Sequence, residues 1–427
     1  MFIFALGKHL MWSRPDGNGG TTFYYYYDEY TWIVGALALA WLSWIIVRRY
    51  RRARAMRRAP RRTDYRLLKR IARLKSELSL TFMRPDFSAN IHAVGVGLLG
   101  SGDYCIQVFV NDANQEIWNG GGAEALPDSY GGVPLVLIEM PPASFLSDAG
   151  LSPSDGWNEY PNGIRDYQEV IIGGISGANT NLTGQSGTIG YFCTRKSKLP
   201  RRKVIHLLSN SHVFADLRKA KVDDGDLITQ PSPGEPASNR PIGALVNFSE
   251  LKFEGDTDKP NHIDAALAKL WGQHRHEPMI PFIGAVKGYV SKQDVELSEA
   301  ARKFGRTTGY TEGRVFSICL DIRVRYDRTG QLAFFQNQFL IEPTLPRFTK
   351  FVDKGDSGSL VVDGEQHAIG LIFAGMSGAA GLQAASPAPE ASARIDPAIN
   401  KAQRVEGYGV ANPISEVLDR LKIELLV

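Results

Sequence analysis

Lys354 to Val362 reads KGDSGSLVV. A glycine two residues before a serine lets the chain turn so that the N–H groups of Gly355 and Ser357 point the same way. Two such donors form a cradle for a developing oxyanion, and the serine oxygen stands exposed beside it. Gly358 leaves room next to the serine. The apolar run Leu360–Val362 then re-enters a core as a strand. GDSG alone is also an ordinary turn, so the reading needs partners elsewhere in the chain.

Two other stretches supply them. His206 to Asp216 reads HLLSNSHVFAD. His212 follows an apolar strand and small polar residues, which suits a base held at the rigid edge of a cleft. His206 and His262 read as ordinary surface or satisfied histidines. Asn261 to Leu270 reads NHIDAALAKL. Asp264 stands directly before an apolar strand, where a carboxylate is costly unless hydrogen-bonded. A bond to His212 Nδ1 would fix the histidine tautomer. Asp216, Asp256 and Asp258 compete for this role, but they sit in polar turns that solvent exposure explains.

The order His, Asp, Ser resembles that of the chymotrypsin-like (trypsin-like) serine peptidases, in particular the bacterial and plant group with LLSNxHV, DAAL, GRTTG and GDSGS segments. The likeness covers roughly residues 167–427. GQSGTIGYF (Gly184–Phe192) resembles strands of a first barrel, and GRTTGYTEGRV (Gly305–Val315) the strand pair opening a second. The resemblance implies a mainly β double barrel. It makes Ser357 the nucleophile, His212 the general base and Asp264 the acid that orients it, with Gly355 and Ser357 as the oxyanion hole. GLIFAG (Gly370–Gly375) resembles the strand that pairs with substrate backbone. Phe373, Ala374 and Gly375 then line the primary pocket, and Phe351 lies at its floor. No acid is there, so nothing favours Arg or Lys substrates, and apolar or small side chains are expected. The chain departs from the secreted members: no cysteine follows His212 to bracket it. Ile171-Ile172-Gly173-Gly174 is similar to an activated N-terminus, but Val170 precedes it, and an inter-domain turn is the simpler reading.

Outside the barrels the sequence suggests further parts. Thr31 to Val47, TWIVGALALAWLSWIIV, holds no charge. As a helix it would span ~26 Å, nearly a hydrocarbon core, with Tyr24–Tyr27, Tyr30 and Trp44 near the interfaces. Nine arginines follow between Arg48 and Arg62. A transmembrane helix with the N-terminus outside and the peptidase domain cytoplasmic is therefore expected, with lipid contacts through 31–47 and the arginine-rich 48–63. Without that tract the net charge of +4 disappears, so no nucleic-acid partner is expected. Leu67, Ile71, Leu74 and Leu78 mark an amphipathic helix at 64–82. A small α+β domain is expected over 83–155, with strands in IHAVGVGLLG, YCIQVFVND and GVPLVLIEM. Residues 1–30 read as a tail and 156–166 as a Gly/Asn/Pro-rich linker. Ser377 to Glu406, rich in Ala, Ser, Pro and Gly, reads as a mobile loop or lid. Cys105, Cys193 and Cys319 are scattered, with no metal spacing, which fits a reducing compartment.

The expected function is a membrane-anchored serine endopeptidase acting on proteins or peptides without metal or organic cofactor. The alternative is a catalytically silent peptide-binding or signalling module on the same scaffold.

Overall fold

The longest strand, Gly309–Arg325, organises the second of two barrels. The structure is a computed structural model and describes residues 8–15, 21–27, 36–47, 57, 64–83, 90–111, 127–146, 164–196, 204–217, 220, 226–235, 240–255, 259–326, 329–376 and 407–427. Burial along the first half of that strand alternates, as expected where one face meets a core. Its second half is almost continuously buried because further structure covers the outer face.

The second barrel is a closed antiparallel ring. In order it runs Ala300–Gly305, Leu360–Val362, His367–Met376, Tyr408–Pro413, Leu332–Pro343 and Gly309–Arg325, which pairs back onto Ala300–Gly305. Closure leaves no open edge. The first barrel is a seven-stranded sheet ordered Ile423–Leu425, Tyr191–Arg195, His206–Ser209, Ala266–Leu270, Pro241–Phe248, Leu227–Thr229 and Ala178–Asn179. It is drawn round on itself by the bridge Ser176–Thr188 and by Ile189 N–H donating to Ile175 O at 2.9 Å. Tyr191, Leu207, Leu208, Leu245 and Leu267 fill the first barrel, and Ile341, Phe351 and Ile372 the second, all fully buried. Each such side chain contributes roughly 1.5–3 kcal/mol by leaving water. The architecture is the mainly β double barrel that the sequence implied.

The strands from 91 to 139 continue the second barrel's sheet. Ile91–Leu98 pairs with Gly309–Arg325 (Val94 opposite Asp321), followed by Tyr104–Val110, Val133–Glu139 and Ser129–Tyr130. The helix Tyr65–Phe82 packs on them through Leu68, Ile71, Leu78 and Phe82. Its buried stripe is turned from the expected one: Leu67 is 47% exposed and Leu68 is buried. The turn brings Lys75 inward, where its Nζ meets Asp321 Oδ1 at 2.8 Å, while Ser79 Oγ donates to Asp321 Oδ2 at 2.6 Å. Lys75 and Asp321 thus form an interior ion pair.

The N-terminal unit, Met1–Arg57, is compact by itself. Lys8–Pro15 and Thr21–Tyr27 form an antiparallel hairpin, so Tyr24–Tyr27 lie on a strand. The expected transmembrane helix over 31–47 is not supported. Its described part, residues 36–47, is helical. Among the described residues no helix is long and apolar enough to cross a membrane. The lipid contact and the topology rested on that span and lose their support with it. The arginine-rich 48–63 apart from Arg57, most of the linker 156–166 and the loop 377–406 lie outside the described residues. Cys105 and Cys193 are buried, and Cys319 is partly buried.

His92, on the strand Ile91–Leu98, is buried and its Nε2 donates to Met140 O at 2.7 Å. Burial pulls its pKa down to about 4. The neutral form therefore belongs to the folded state. The stability it contributes is complete above the unfolded value of about 6.5 and is lost as pH falls towards 4, by roughly 3 kcal/mol in all. Urea unfolding at pH 7 and pH 4.5 should show the parent losing roughly 2–3 kcal/mol more than His92→Gln, which keeps a donor for Met140 without the titration. Equal losses in the two proteins would remove His92 from the account.

Candidate active site

Register places the first two residues. Strands His206–Ser209 and Ala266–Leu270 are antiparallel, with Ser209 opposite Ala266. The chain just beyond Ser209 therefore runs beside the chain just before Ala266. A short helical turn, Ser211–Phe214, carries His212 there. Asn210 Nδ2 donates to Asp264 O at 2.7 Å, and Asn412 closes a pair with the Asp264 backbone, accepting from its N–H at 3.0 Å and donating to its O at 3.1 Å. The Asp264 carboxylate is buried and hydrogen-bonded: Oδ1 accepts from Ser211 N–H at 2.7 Å and His212 N–H at 3.3 Å, and Oδ2 faces His212 Nδ1 in a short hydrogen bond. Asp216 instead turns its backbone N–H to Asp226, while Asp256 and Asp258 lie outside the described residues.

Ser357 comes from the second barrel. His212 Nε2 lies 2.8 Å from Ser357 Oγ. With the Nδ1 proton on the Asp264 side, Nε2 is free to accept the serine proton. Phe373 O is a weaker competitor at 3.2 Å. Two glycines make the turn possible. Gly355 has φ +100°, and a Cβ there would stand 2.4 Å from Thr307 Oγ1; Gly358 has φ +96°, and a Cβ would stand 2.2 Å from Thr188 O. Across the barrel boundary Thr188 N–H donates to Ser357 O at 2.8 Å and Thr188 Oγ1 to Gly355 O at 2.9 Å. His212, Asp264 and Ser357 are all fully buried.

The middle residue of the turn, Asp356, is held by groups that the sequence did not single out. It accepts from the N–H of Asp353 (2.9 Å), Thr307 (2.9 Å) and Thr308 (3.1 Å) and from Thr308 Oγ1 (2.6 Å). Lys303 Nζ lies 3.3 Å away, and both side chains are fully buried. Desolvation pulls the Lys303 pKa below its ordinary value, and the Asp356 charge opposes that. Removing one partner of such a pair strands a buried charge, at about 3–5 kcal/mol. Lys303→Met should therefore lower the urea midpoint by a corresponding amount and loosen the Gly355 turn. Lys303→Met combined with Asp356→Asn should recover part of the loss. A single-variant loss under about 1 kcal/mol, the value of an exposed pair, would contradict the reading.

The stretch expected to pair with substrate lies on the strand His367–Met376, and part of it is already paired. Ala143–Phe145 lies antiparallel to it, with Phe145 opposite Ala374 and Ser144 opposite Gly375, and parallel to Val324 and Arg325 on its other side. The Phe145 ring packs against His212 at 4.9 Å between centroids. Leu146 O accepts from Gly355 N–H at 2.6 Å. Leu146 shares an apolar cluster with Phe351, Val352 and Ile372. A Cβ on Gly375 would stand 3.0 Å from Leu146 Cδ2 and 2.7 Å from Val352 Cγ2, so the glycine leaves the space that leucine uses. The Phe373 ring turns away, packing on Phe335 at 4.6 Å and on Phe145 at 6.2 Å; its contribution to the cleft is its carbonyl. Ile171 and Gly173 of the possible activation sequence are built into the fold, Ile171 beside His276 and Gly173 N–H on Met279 O at 2.9 Å.

No protein family matches the sequence, and no curated protein matches it. Among solved structures the chain is similar to bacterial serine proteases. Protease A of Thermobifida fusca is 15% identical with a TM-score of 0.34, over 60% of this chain and 99% of that one. The Nocardiopsis protease is 16% identical with a TM-score of 0.35, over 60% and 99%. The chymotrypsin of Cellulomonas bogoriensis is 15% identical with a TM-score of 0.34, over 60% and 98%.

Proposed function

We propose that the protein is a serine endopeptidase that hydrolyses peptide bonds through an acyl-enzyme. The observation that carries this is the unbroken hydrogen-bond chain from Ser357 Oγ to His212 Nε2 (2.8 Å) and from His212 Nδ1 to Asp264. Ser357 attacks a carbonyl carbon while His212 takes its proton. Asp264, fixed by the Ser211 and His212 N–H groups, holds the imidazole in the tautomer that can accept it and stabilises the imidazolium that forms. The carbonyl oxygen becomes an oxyanion facing Gly355 N–H, with Ser357 N–H as the second donor. His212 then protonates the leaving amine, and water repeats the sequence in reverse to release the acid. Phe351 and Val352 make the primary pocket apolar, which favours substrates with a leucine-like side chain at the acyl position. Membrane attachment forms no part of this reading.

Formation of an acyl-enzyme gives a testable kinetic signature. An N-acyl leucine p-nitrophenyl ester should release a burst of nitrophenol of up to one equivalent per chain, followed by slower steady turnover. Absence of both phases, in a protein shown to be folded, would count against a covalent mechanism.

A further inference from the structure

We propose that Thr307 is a positioning residue for catalysis: its hydroxyl aims the Gly355 N–H at the oxyanion. The proposal rests on the serine-peptidase reading above and adds to it a residue outside the triad and the oxyanion donors. Thr307 Oγ1 donates to Lys354 O at 2.6 Å. That carbonyl belongs to the same peptide unit as the Gly355 N–H. The bond between Lys354 and Gly355 is trans, so its C=O and N–H point in opposite directions. A hydrogen bond that holds the oxygen on one side therefore fixes the direction of the donor on the other. That direction is visible in the fold, where Gly355 N–H meets Leu146 O at 2.6 Å.

The turn needs such a clamp because of the glycine that makes it. Gly355 has φ +100°, and a Cβ there would stand 2.4 Å from Thr307 Oγ1, so the hydroxyl occupies the space that a side chain would need. Glycine also adopts φ of either sign at little steric cost. A concerted change in ψ of Lys354 and φ of Gly355 would rotate the peptide between them and turn its N–H away from the cleft. Thr307 Oγ1 opposes that rotation from the carbonyl end. The next peptide is held separately, by Thr188 Oγ1 on Gly355 O at 2.9 Å.

Thr307 is itself fixed from both barrels. It lies in the tight connection between Ala300–Gly305 and Gly309–Arg325, and its N–H donates to Asp356 Oδ1 at 2.9 Å. Arg306 Nη1 donates to Thr307 Oγ1 at 3.1 Å. A hydroxyl has one proton, so an oxygen that accepts from the arginine is left to direct that proton at Lys354 O. Arg306 Nε in turn donates to Glu235 Oε1 at 2.5 Å, and both side chains are buried. Glu235 follows the first-barrel strand Leu227–Thr229. A charged pair spanning the barrels thus holds the threonine that holds the peptide. Thr307 acts through Gly355 and needs no contact of its own with the substrate.

Thr307→Val removes the hydroxyl and keeps the shape, and kinetics on the full chain test the role. With an N-acyl leucine p-nitroanilide, whose slow acylation makes KM report binding, kcat should fall by roughly 10- to 100-fold while KM stays within about twofold. A leucine boronic acid forms a tetrahedral adduct on Ser357 with an oxygen in the oxyanion site, so its affinity should fall by the same factor as kcat/KM. Thr307→Ser restores the donor and should recover most of the rate. The acid limb of the pH–rate profile, set by His212, should not move. Urea unfolding checks each variant, and Thr307→Ala gives the same comparison if valine disturbs the fold. Parent-like kcat in folded Thr307→Val or Thr307→Ala overturns the proposal and leaves the peptidase reading standing. So does a loss that serine does not recover, or one carried by KM with boronate affinity unchanged. A folded parent that hydrolyses neither anilide nor ester removes both.

Discussion

Ser357→Ala should lower hydrolysis of small peptide esters by roughly 10⁶ while leaving the fold and urea midpoint close to the parent. The alanine keeps the backbone of the Gly355–Gly358 turn, and the ion pair at Asp356 does not involve the serine side chain. What is lost is the oxygen that His212 Nε2 meets at 2.8 Å. The remaining oxyanion donors and the apolar pocket would still orient a substrate towards water, which sets the residual rate. Steady-state kinetics on the variant, free of parent enzyme, check this. A variant that turns over the ester at the parent rate would place the nucleophile elsewhere.

Asp264→Asn should cost roughly 10⁴ in kcat at neutral pH. The carboxylate takes three N–H groups, from Ser211, the His212 backbone and the His212 ring. An amide keeps one acceptor oxygen and presents a donor in place of the other. If that donor faces the ring, His212 Nδ1 must accept and the proton moves to Nε2, which then cannot take the serine proton. The expected signature is a loss in kcat with little change in KM, partly relieved at high pH where serine ionises more easily. An equal loss from Asp216→Asn would mean that the wrong carboxylate has been chosen.

Much of this site could be read from sequence because each residue stands at the end of an apolar run. Leu207–Leu208 leads to His212, Ala265–Leu267 follows Asp264, and Leu360–Val362 follows Ser357, so strand ends converge where barrels meet. Lys303 could not be read. In ARKFG it resembles any charged residue on a strand with one wet face, and only the closing of the ring between Ala300–Gly305 and Leu360–Val362 buries it beside Asp356. Lys75 is the same case on a helix: a shift of the stripe from Leu67 to Leu68 turns a surface lysine into the partner of Asp321. Phe373 was identified by position, but its ring packs on Phe335 while its carbonyl faces Ser357; strand alternation decides that, and the bulge between Ile372 and Ala374 obscures it. The role of Ala143–Leu146 has no local signature at all. Only tertiary pairing sets those residues against Gly355 and Gly375.

Locating a fluorophosphonate adduct by peptide mass spectrometry tests the central claim most directly. The account predicts one adduct per chain, on Ser357, in the parent, with none in Ser357→Ala and a large loss of rate in His212→Ala. No adduct in any folded form, or an adduct on another residue with Ser357 untouched, would contradict it.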